Sequence, residues 1–232
     1  MEKVIIALRD ARSDEAWCRR LRTEVVEDLL AMDLPGVTLN VRDEPVRASL
    51  MTLTTLTPPV VGFVSLWTRQ YYGPEVEAAV TRLAACCDEI AAYLVTESVP
   101  LPPPTTEWGS RTAGFANVAL LRRPADLDEP TWLRRWHRDH TGVAIATQST
   151  FGYVQNAVVR PLTPDAPAVD AIVEELFPIE ATQDLHAFFG AADDAELNDR
   201  MQRMVASTSA FGANQNVDTV PTSRYVHRSP FS

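Results

Sequence analysis

The sequence has little of what disulfide, metal and nucleotide sites require. Its three cysteines, Cys18, Cys86 and Cys87, are an odd number without Cys-x-x-Cys spacing, which excludes a disulfide framework and the usual zinc motifs. We interpret them as buried thiols on two helices. The nine glycines form no phosphate-binding loop, and no serine nucleophile motif occurs. We therefore expect no cofactor, and a nucleotide cofactor least of all.

Long apolar runs and an excess of positive charge are absent as well. No run approaches the roughly 18 residues that span a bilayer, and residues 1–6 enter a strand-like segment without a signal-peptide pattern. The net charge of -10, from 31 acidic and 21 basic residues, would repel the phosphates of nucleic acids and anionic lipids. We therefore expect a cytoplasmic protein that binds neither nucleic acid nor membrane.

One sequence pattern occurs twice. Residues 14–21 and 128–136 both begin with Asp-Glu and contain Trp-x-Arg-Arg. The two tryptophans of this motif, Trp17 and Trp132, lie 115 residues apart in a chain of 232 residues. A repeat at about half the chain length indicates two similar units. The sequence therefore predicts a duplicated structure.

Both copies are predicted to have the order strand, helix, strand, strand, helix, strand. Alternating residues, short apolar runs and helical spacing indicate these elements. The predicted strands cover residues 4–8, 36–46, 60–67, 90–99, 117–121, 151–159, 171–177 and 219–227. Besides the two Trp-x-Arg-Arg helices, helices are predicted over residues 71–87, 181–189 and 195–209. We therefore predict an α+β fold of tandem ferredoxin-like βαββαβ repeats.

A proline-rich segment separates the two copies. Residues 100–106 contain four prolines, which cannot donate backbone hydrogen bonds to a helix or a central strand. We therefore divide the chain into an N-terminal half, 1–99, a linker, 100–113, and a C-terminal half, 114–232. Each half leaves one sheet face uncovered, so two halves or two chains are expected to close against each other.

Two of the four histidines lie on the helix predicted at the start of the second half. Helical spacing places Trp132, Trp136 and His140 in one row, with His137 beside it. Imidazole titrates near neutral pH, and burial against indole rings keeps it neutral and basic. The pattern therefore predicts proton transfer with His140 as catalytic acid or base and His137 as its support.

The alternative is that both histidines are ordinary helix residues, one packed against the sheet and one on the surface. The corresponding positions of the first copy are Arg22 and Val25, and neither side chain exchanges a proton near pH 7. A site confined to the second half explains this difference. Drift on a face without function would produce the same difference.

The strand predicted after this helix offers polar groups to a substrate. Alternation places Tyr153 and Gln155 on one face and Asn156 on the other. Tyr153 or Asn156 could hydrogen-bond a carbonyl or enolate oxygen, and the alternative is that they satisfy backbone groups at a sheet edge. The predicted substrate-binding residues are Trp132, Trp136, Tyr153 and Asn156.

His137 and His140 lie three residues apart on one helix, a spacing that two ligands of one metal ion can have. A zinc site needs three or four convergent ligands, and the spacing shows no third. The fold would have to gather further ligands from His186, His227, Glu174 and Glu175. We therefore predict no metal site.

These motifs resemble the EthD-like family of dimeric α+β barrel proteins. The resemblance rests on the helix 132–140 with its histidines, the strand 151–156 and the acidic strand 173–177, and it covers about residues 114–229. It implies ferredoxin-like units that associate through sheet faces into an α+β barrel, a homodimer, and a cavity for a small apolar organic molecule. The wider superfamily includes cofactor-independent monooxygenases, cyclases, isomerases and haem enzymes, so the fold does not fix the reaction.

Three functions are compatible with these features. The leading hypothesis is a cofactor-independent enzyme that acts on a small hydrophobic carbonyl or aromatic compound, either a monooxygenase-like oxidoreductase or a cyclase-like or isomerase-like lyase. The second is a non-catalytic binding or auxiliary protein of an oxidative degradation pathway. The third is a haem-binding oxidoreductase with one of the four histidines as axial ligand.

Overall fold

Eight antiparallel strands form one closed barrel in a mixed α+β fold, as seen in a computed structural model that describes residues 1–231. The order around the barrel is β1-β3-β2-β8-β5-β7-β6-β4, and β4 pairs with β1 to close it. The strands are β1 (Glu2–Arg9), β2 (Gly36–Val41), β3 (Val60–Thr68), β4 (Glu89–Leu101), β5 (Phe115–Leu121), β6 (Gly152–Pro161), β7 (Ala171–Phe177) and β8 (Asp218–Arg228).

Each half of the chain contributes four neighbouring strands to the barrel. The groups β4-β1-β3-β2 and β8-β5-β7-β6 have the same internal order. They join where β2 pairs with β8 and where β4 pairs with β6. The barrel therefore closes within a single chain and needs no second copy for its closure.

Helices cover the outside of the barrel. The first-half helix, residues 15–30, consists of α1 (Glu15–Arg20), a π-helical turn (Leu21–Val25) and α2 (Val26–Leu30). The second-half helix, residues 129–147, consists of α5 (Glu129–Arg134), a π-helical turn (Arg135–His140) and α6 (Thr141–Thr147). The remaining helices are α3 (Glu44–Arg47), α4 (Pro74–Ala84), a 3₁₀ turn (Ile179–Thr182), α7 (Leu185–Phe189) and α8 (Asp194–Ser209). Over residues 1–231, no helix has the length and apolar character that crossing a membrane requires.

The two halves start their first helices in the same way. Asp14 Oδ1 accepts a hydrogen bond from Trp17 N at 2.8 Å, and Asp128 Oδ1 accepts one from Thr131 N at 2.8 Å. Each aspartate thus satisfies a backbone N–H that has no partner within its helix. The acidic start of each repeated motif is a helix cap.

The repeated tryptophans anchor these helices. Trp17 Nε1 donates to Cys86 O at 2.6 Å, just beyond the end of α4. Trp132 Nε1 donates to Phe211 O at 3.0 Å, just beyond the end of α8. Both indoles are buried, and each ties the first helix of its half to the end of the second.

Most strands are buried on both faces, because one face lines the barrel and the other lies beneath helices. All nine residues of β3 and all seven of β5 and β7 are buried. Their sequences therefore read as nearly continuous apolar runs. A polar residue in such a strand is buried whichever way it points.

The observed elements differ from the sequence prediction at several places. The predicted helix 181–189 consists of a 3₁₀ turn (Ile179–Thr182) and the separate helix α7 (Leu185–Phe189), and the predicted helix 71–87 is shorter, Pro74–Ala84. The predicted strand 36–46 ends at Val41, because a short helix with Pro45 in its first turn begins after Asp43. Strand β4 continues to Leu101, past the predicted end at residue 99. A register shift between Ser98 and Leu101 accommodates Pro100, which has no N–H to offer the sheet.

Candidate functional site

A cavity of about 420 Å³ lies between the outer face of the second-half sheet and its helices. Strands β5, β6 and β7 form its floor, and the second-half helix, α7 and α8 form its walls. We call it the helix-side cavity. Its lining residues are Leu50, Met51, Leu53, Asn117, Ala119, Leu121, Trp136, His140, Gln148, Tyr153, Val173, Glu175, Leu185, Phe188, Phe189, Met204, Thr208, Phe211, Ala213, Asn214, Val217 and Thr219. The lining is mostly apolar, with polar groups at a few positions, as in small-molecule sites.

A row of three polar residues crosses the floor of the cavity. Glu175 of β7 pairs with Asn117 of β5 on one side and with Tyr153 of β6 on the other. All three side chains are buried. Side chains directly opposite each other in a sheet lie about 5 Å apart, so the register alone brings an amide, a carboxyl and a phenol together. We call these three residues the polar row.

His140 of the second-half helix lines the same cavity as the polar row. It is buried, and its Nδ1 lies 2.9 Å from Ser207 Oγ of α8. Its ring packs against Phe211 at a centroid distance of 4.8 Å. Burial lowers the pKa of His140 to about 4, because a charged imidazolium would lose its hydration there. At neutral pH the imidazole is therefore uncharged and able to accept a proton.

The pKa of Glu175 is shifted in the opposite direction. Burial raises the pKa of its carboxyl to about 8, so that the carboxyl is mostly protonated at pH 7. In the amide orientation that satisfies its neighbours, Gln148 places its side-chain nitrogen 3.1 Å from Glu175 Oε1 and 3.3 Å from Ala144 O. Glu175 thus presents a neutral carboxyl that can donate a hydrogen bond within the cavity.

Two further buried polar atoms at the cavity, Trp136 Nε1 and Asn117 Oδ1, make no hydrogen bond of regular geometry within residues 1–231. Trp136 nevertheless interacts with the side chain of Tyr153. Tyr153 is also buried, and burial raises the pKa of its phenol. Buried polar groups normally find partners, so unpaired groups in a cavity wall are suited to bind polar atoms of a guest molecule.

The structure brings three of the six predicted site residues to the cavity. Trp136, His140 and Tyr153 line it. His137 lies outside the lining, half-buried, with its ring 4.3 Å from that of Trp136. Burial lowers the pKa of His137 as well.

Trp132 and Asn156 also lie outside the lining. Trp132 packs behind Trp136 at a ring distance of 5.3 Å and donates to Phe211 O. Asn156 lies on the opposite face of β6, inside the barrel, where its Nδ2 donates to Ile172 O at 3.0 Å. Its position therefore separates it from the polar row, as the strand alternation predicted.

The sequence prediction omitted Asn117 and Gln148 and considered Glu175 only as a metal ligand. A local signal existed for the two strand residues. Asn117 interrupts the apolar run of β5, and Glu174 and Glu175 interrupt that of β7. In strands buried on both faces, such interruptions mark buried polar groups.

The described residues contain no group of three or more His, Cys, Asp and Glu side chains that could hold a metal ion. His186 lies elsewhere, with its Nε2 3.0 Å from Asp194 Oδ1. The chemistry available in the helix-side cavity is that of a neutral imidazole beside a protonated carboxyl. Opposite pKa shifts of this kind distinguish a proton acceptor from a proton donor in one site.

Comparisons with known proteins identify the fold. No protein-family model matches the chain, and no curated protein is similar in sequence. A candidate monooxygenase from Lactobacillus acidophilus NCFM superposes with a TM-score of 0.51 at 9% identity, over 98% of this chain and 95% of that one. An anthrone oxidase-like protein superposes with a TM-score of 0.56 at 7% identity, over 97% and 93%. The chain therefore shares the α+β barrel fold of these proteins.

Proposed function

We propose that this protein is a cofactor-independent enzyme that acts on a small, largely apolar carbonyl or aromatic compound in the helix-side cavity. The observation that carries the proposal is the pairing of a neutral His140 with a protonated Glu175 in one mostly apolar cavity. The neighbouring structures, a candidate monooxygenase and an anthrone oxidase-like protein, favour oxidative chemistry on a small molecule.

The proposed reaction starts with proton transfer. His140 accepts a proton from an acidic C–H or O–H bond of the substrate, and the electron pair of that bond moves towards the substrate oxygen. Glu175, Tyr153 and the Trp136 N–H donate hydrogen bonds to the oxygen that gains negative charge. In one branch the anion takes the proton back from His140 at another carbon, which gives isomerisation. In the other, dioxygen is the oxidant: its bond to the carbon of the anion gives a peroxide that takes the proton from His140, and loss of water from this hydroperoxide leaves a carbonyl product.

The remaining predicted residues have indirect roles in this proposal. His137 supports His140 through Trp136, on which its ring packs. Trp132 holds Trp136 in place from behind. Asn156 contacts no cavity group, and we therefore leave it out of substrate binding.

The test uses anthrone and simple phenols as probe substrates, with product analysis by mass spectrometry and oxygen consumption by electrode. His140→Ala should lower turnover of any active probe by about 10²- to 10⁴-fold, which is the usual contribution of a general acid or base. His186→Ala is the matched control, because His186 lies outside the cavity, and it should turn over normally. Unchanged turnover in His140→Ala would contradict the proposal.

A second function is a non-catalytic carrier or auxiliary protein that binds a hydrophobic metabolite. The low pKa of His140 favours it, because an imidazole with a pKa of about 4 is a weak base. Mass spectrometry of molecules that co-purify with the protein identifies the ligand. Recovery of that ligand unchanged after incubation under air supports the carrier and contradicts the enzyme.

We also infer that the chain is a tandem duplication of ferredoxin-like units, with halves 1–99 and 114–232 joined by the linker 100–113, and that it belongs to the EthD-like family. The common strand order of the two halves and their matching first helices support the duplication. The proposal includes a cytoplasmic location and a homodimer. Light scattering during size exclusion tests the dimer, and a monomer at micromolar concentration would contradict it.

A further inference from the structure

A second and larger cavity, of about 590 Å³, lies at one end of the barrel. It shares no lining residue with the helix-side cavity. Neighbouring residues of β7 divide between the two, since Glu174 lines the barrel-end cavity and Glu175 lines the helix-side cavity. The sheet itself therefore separates them, and a molecule in one cavity cannot reach the groups of the other.

The charges in the barrel-end cavity differ in sign from those of the whole chain. Three cationic and two anionic side chains line it, Lys3, Arg224, Arg228, Glu97 and Glu174. Lys3 Nζ lies 2.6 Å from Glu97 Oε1, and Arg224 Nε lies 2.8 Å from Glu174 Oε1. The two ion pairs leave one positive charge in excess, in a chain with a net charge of -10. A concave site of this kind concentrates the field of its excess charge and attracts anions.

Arg224 has hydrogen-bonding capacity left for a ligand. Its side chain is 12% exposed, and its Nε lies 2.8 Å from Glu174 Oε1 without the geometry of a hydrogen bond. Within residues 1–231, no hydrogen bond involves its two terminal nitrogens. By contrast, both terminal nitrogens of Arg228 donate to backbone oxygens, Leu34 O at 2.9 Å and Leu30 O at 3.1 Å. A guanidinium with two adjacent N–H groups available matches the geometry of a carboxylate.

Aromatic rings surround the opening of the barrel-end cavity. Trp67 is buried in its wall, and Trp108 and Phe231 stand at its rim with 58% and 75% of their surface exposed. Phe231 contacts Trp67 edge to face, with ring centroids 6.2 Å apart. Prolines of the segment 102–104 add a rigid apolar side. Exposed rings around a concave site indicate a flat apolar guest that covers them.

We propose that the barrel-end cavity binds a small aromatic carboxylate. The carboxylate pairs with the terminal nitrogens of Arg224, beside the excess positive charge, and the ring packs between Trp67 and Trp108. A cavity of about 590 Å³ falls within the usual size of small-molecule sites, about 300 to 1,000 Å³. This site is independent of the function proposed for the helix-side cavity.

The experiment measures binding of 1-naphthoate by calorimetry, with 1-naphthalenemethanol as the neutral analogue. Wild-type protein should bind the acid at least tenfold more tightly than the alcohol. Arg224→Gln should weaken binding of the acid about tenfold or more, because it removes a charge-assisted contact, and should leave the alcohol nearly unchanged. Arg224→Lys keeps the charge without the paired nitrogens and should lose part of this affinity.

Trp108→Ala keeps the proposal testable if Arg224 variants fail to fold, since Trp108 lies largely in solvent. It should weaken 1-naphthoate binding severalfold. Tyr72→Ala is the matched control, because Tyr72 is an aromatic residue with 71% exposure outside the cavity, and it should bind normally. Equal affinity for acid and alcohol, or no binding of the acid at millimolar concentration, would overturn the proposal.

A further variant separates this site from the helix-side cavity. Ala213 lines the helix-side cavity, and Ala213→Phe partly fills it. This variant should bind 1-naphthoate with wild-type affinity, even where it abolishes turnover of a probe substrate. Loss of binding in Ala213→Phe together with normal binding in Trp108→Ala would place the acid in the helix-side cavity and overturn the proposal.

Discussion

The two halves of the barrel build the same floor from different residues. In the first half, Leu66 of β3 pairs with Val4 of β1 and with Val37 of β2. These three residues, the apolar row, hold the positions that the polar row holds in the second half. The apolar row belongs to one buried hydrophobic cluster. The polar row opens into a cavity.

The helices above these rows differ in the same way. Val25 occupies the position of His140, and Leu21 occupies that of Trp136, at the same distance from the anchoring tryptophans Trp17 and Trp132. Both helices contain a π-helical turn at this point, and such turns often occur at functional sites. The buried residues of the first-half turn, Leu21 and Val25, are apolar. The turn therefore belongs to the scaffold, and the buried polar side chains distinguish the site.

The difference between the two rows explains why the polar row lines a cavity and the apolar row lies in a filled core. Buried aliphatic side chains of one hydrophobic cluster fill the space between sheet and helix in the first half. A buried amide, carboxyl and imidazole cannot pack this way, because each needs a polar partner. The second half is therefore less tightly packed at this point, and a guest molecule can supply the missing hydrogen-bond partners.

The largest expected effect comes from moving the carboxyl to the first half. Leu66→Glu places a carboxyl in a filled apolar core without the cavity that surrounds Glu175, and should lower the free energy of unfolding by about 4 kcal/mol or more. Urea denaturation at pH 7 measures it. Glu175→Leu is the reverse change and should leave stability equal or higher. A mild effect of Leu66→Glu would show that the two floors are interchangeable.

The next prediction concerns the pH dependence that Glu175 imposes on stability. Its pKa is raised from 4.5 to about 8 in the folded protein. Between these pH values the unfolded chain releases a proton that the folded chain retains, so stability falls as pH rises through this window. Glu175→Gln cannot ionise and should gain about 2 kcal/mol or more over wild type between pH 5 and pH 8.

Glu174, the neighbour of Glu175, provides a matched control, because its substitution by Gln should change stability in the opposite direction. Glu174 pairs with Arg224 and accepts a hydrogen bond from Asn40. Glu174→Gln leaves Arg224 without its counter-charge and should destabilise the protein at pH 7. Thermal unfolding of both variants from pH 5 to pH 8 tests the pair. Parallel curves for Glu175→Gln and wild type would contradict a raised pKa of Glu175.

His140→Val gives the second-half helix the residue of the first half. The pKa of His140 is lowered from 6.5 to about 4 on folding, so the unfolded chain binds the proton first as pH falls. The contribution of the uncharged His140 to the free energy of unfolding is therefore lost as the pH falls from 6.5 to 4. His140→Val should flatten this loss and gain about 1 to 2 kcal/mol at pH 4. An identical acid limb in both proteins would show that His140 is not buried in solution.

The sequence predicted most of this scaffold, because both halves show strong local signals. The capping aspartates, the anchoring tryptophans and the apolar strand runs repeat at nearly constant spacing. Closure of the barrel within one chain could not be predicted. A sheet face covered by the other half and one covered by a second copy leave the same alternation of residues.

The site was predicted in part for a related reason. Helical spacing identified His140 and Trp136, and strand alternation put Tyr153 on their side. Glu175 was missed, because ionisable residues in a strand normally face solvent. The closed barrel buries both faces of β7. Glu174 therefore forms an ion pair inside the barrel, and Glu175 is a neutral acid on the outer face.

The smallest expected effect tests the polar row at its edge. Asn117 Oδ1 is buried and has no hydrogen-bond partner among the described residues, and the first half has Val4 at this position. Asn117→Val removes an unsatisfied polar atom and should stabilise the unliganded protein by about 1 kcal/mol. The reverse variant, Val4→Asn, should destabilise it by at least as much, because the filled core offers no partner. If Asn117 binds a guest molecule, Asn117→Val should be more stable than wild type and should bind an active probe more weakly. A loss of stability would instead identify the amide as part of the core.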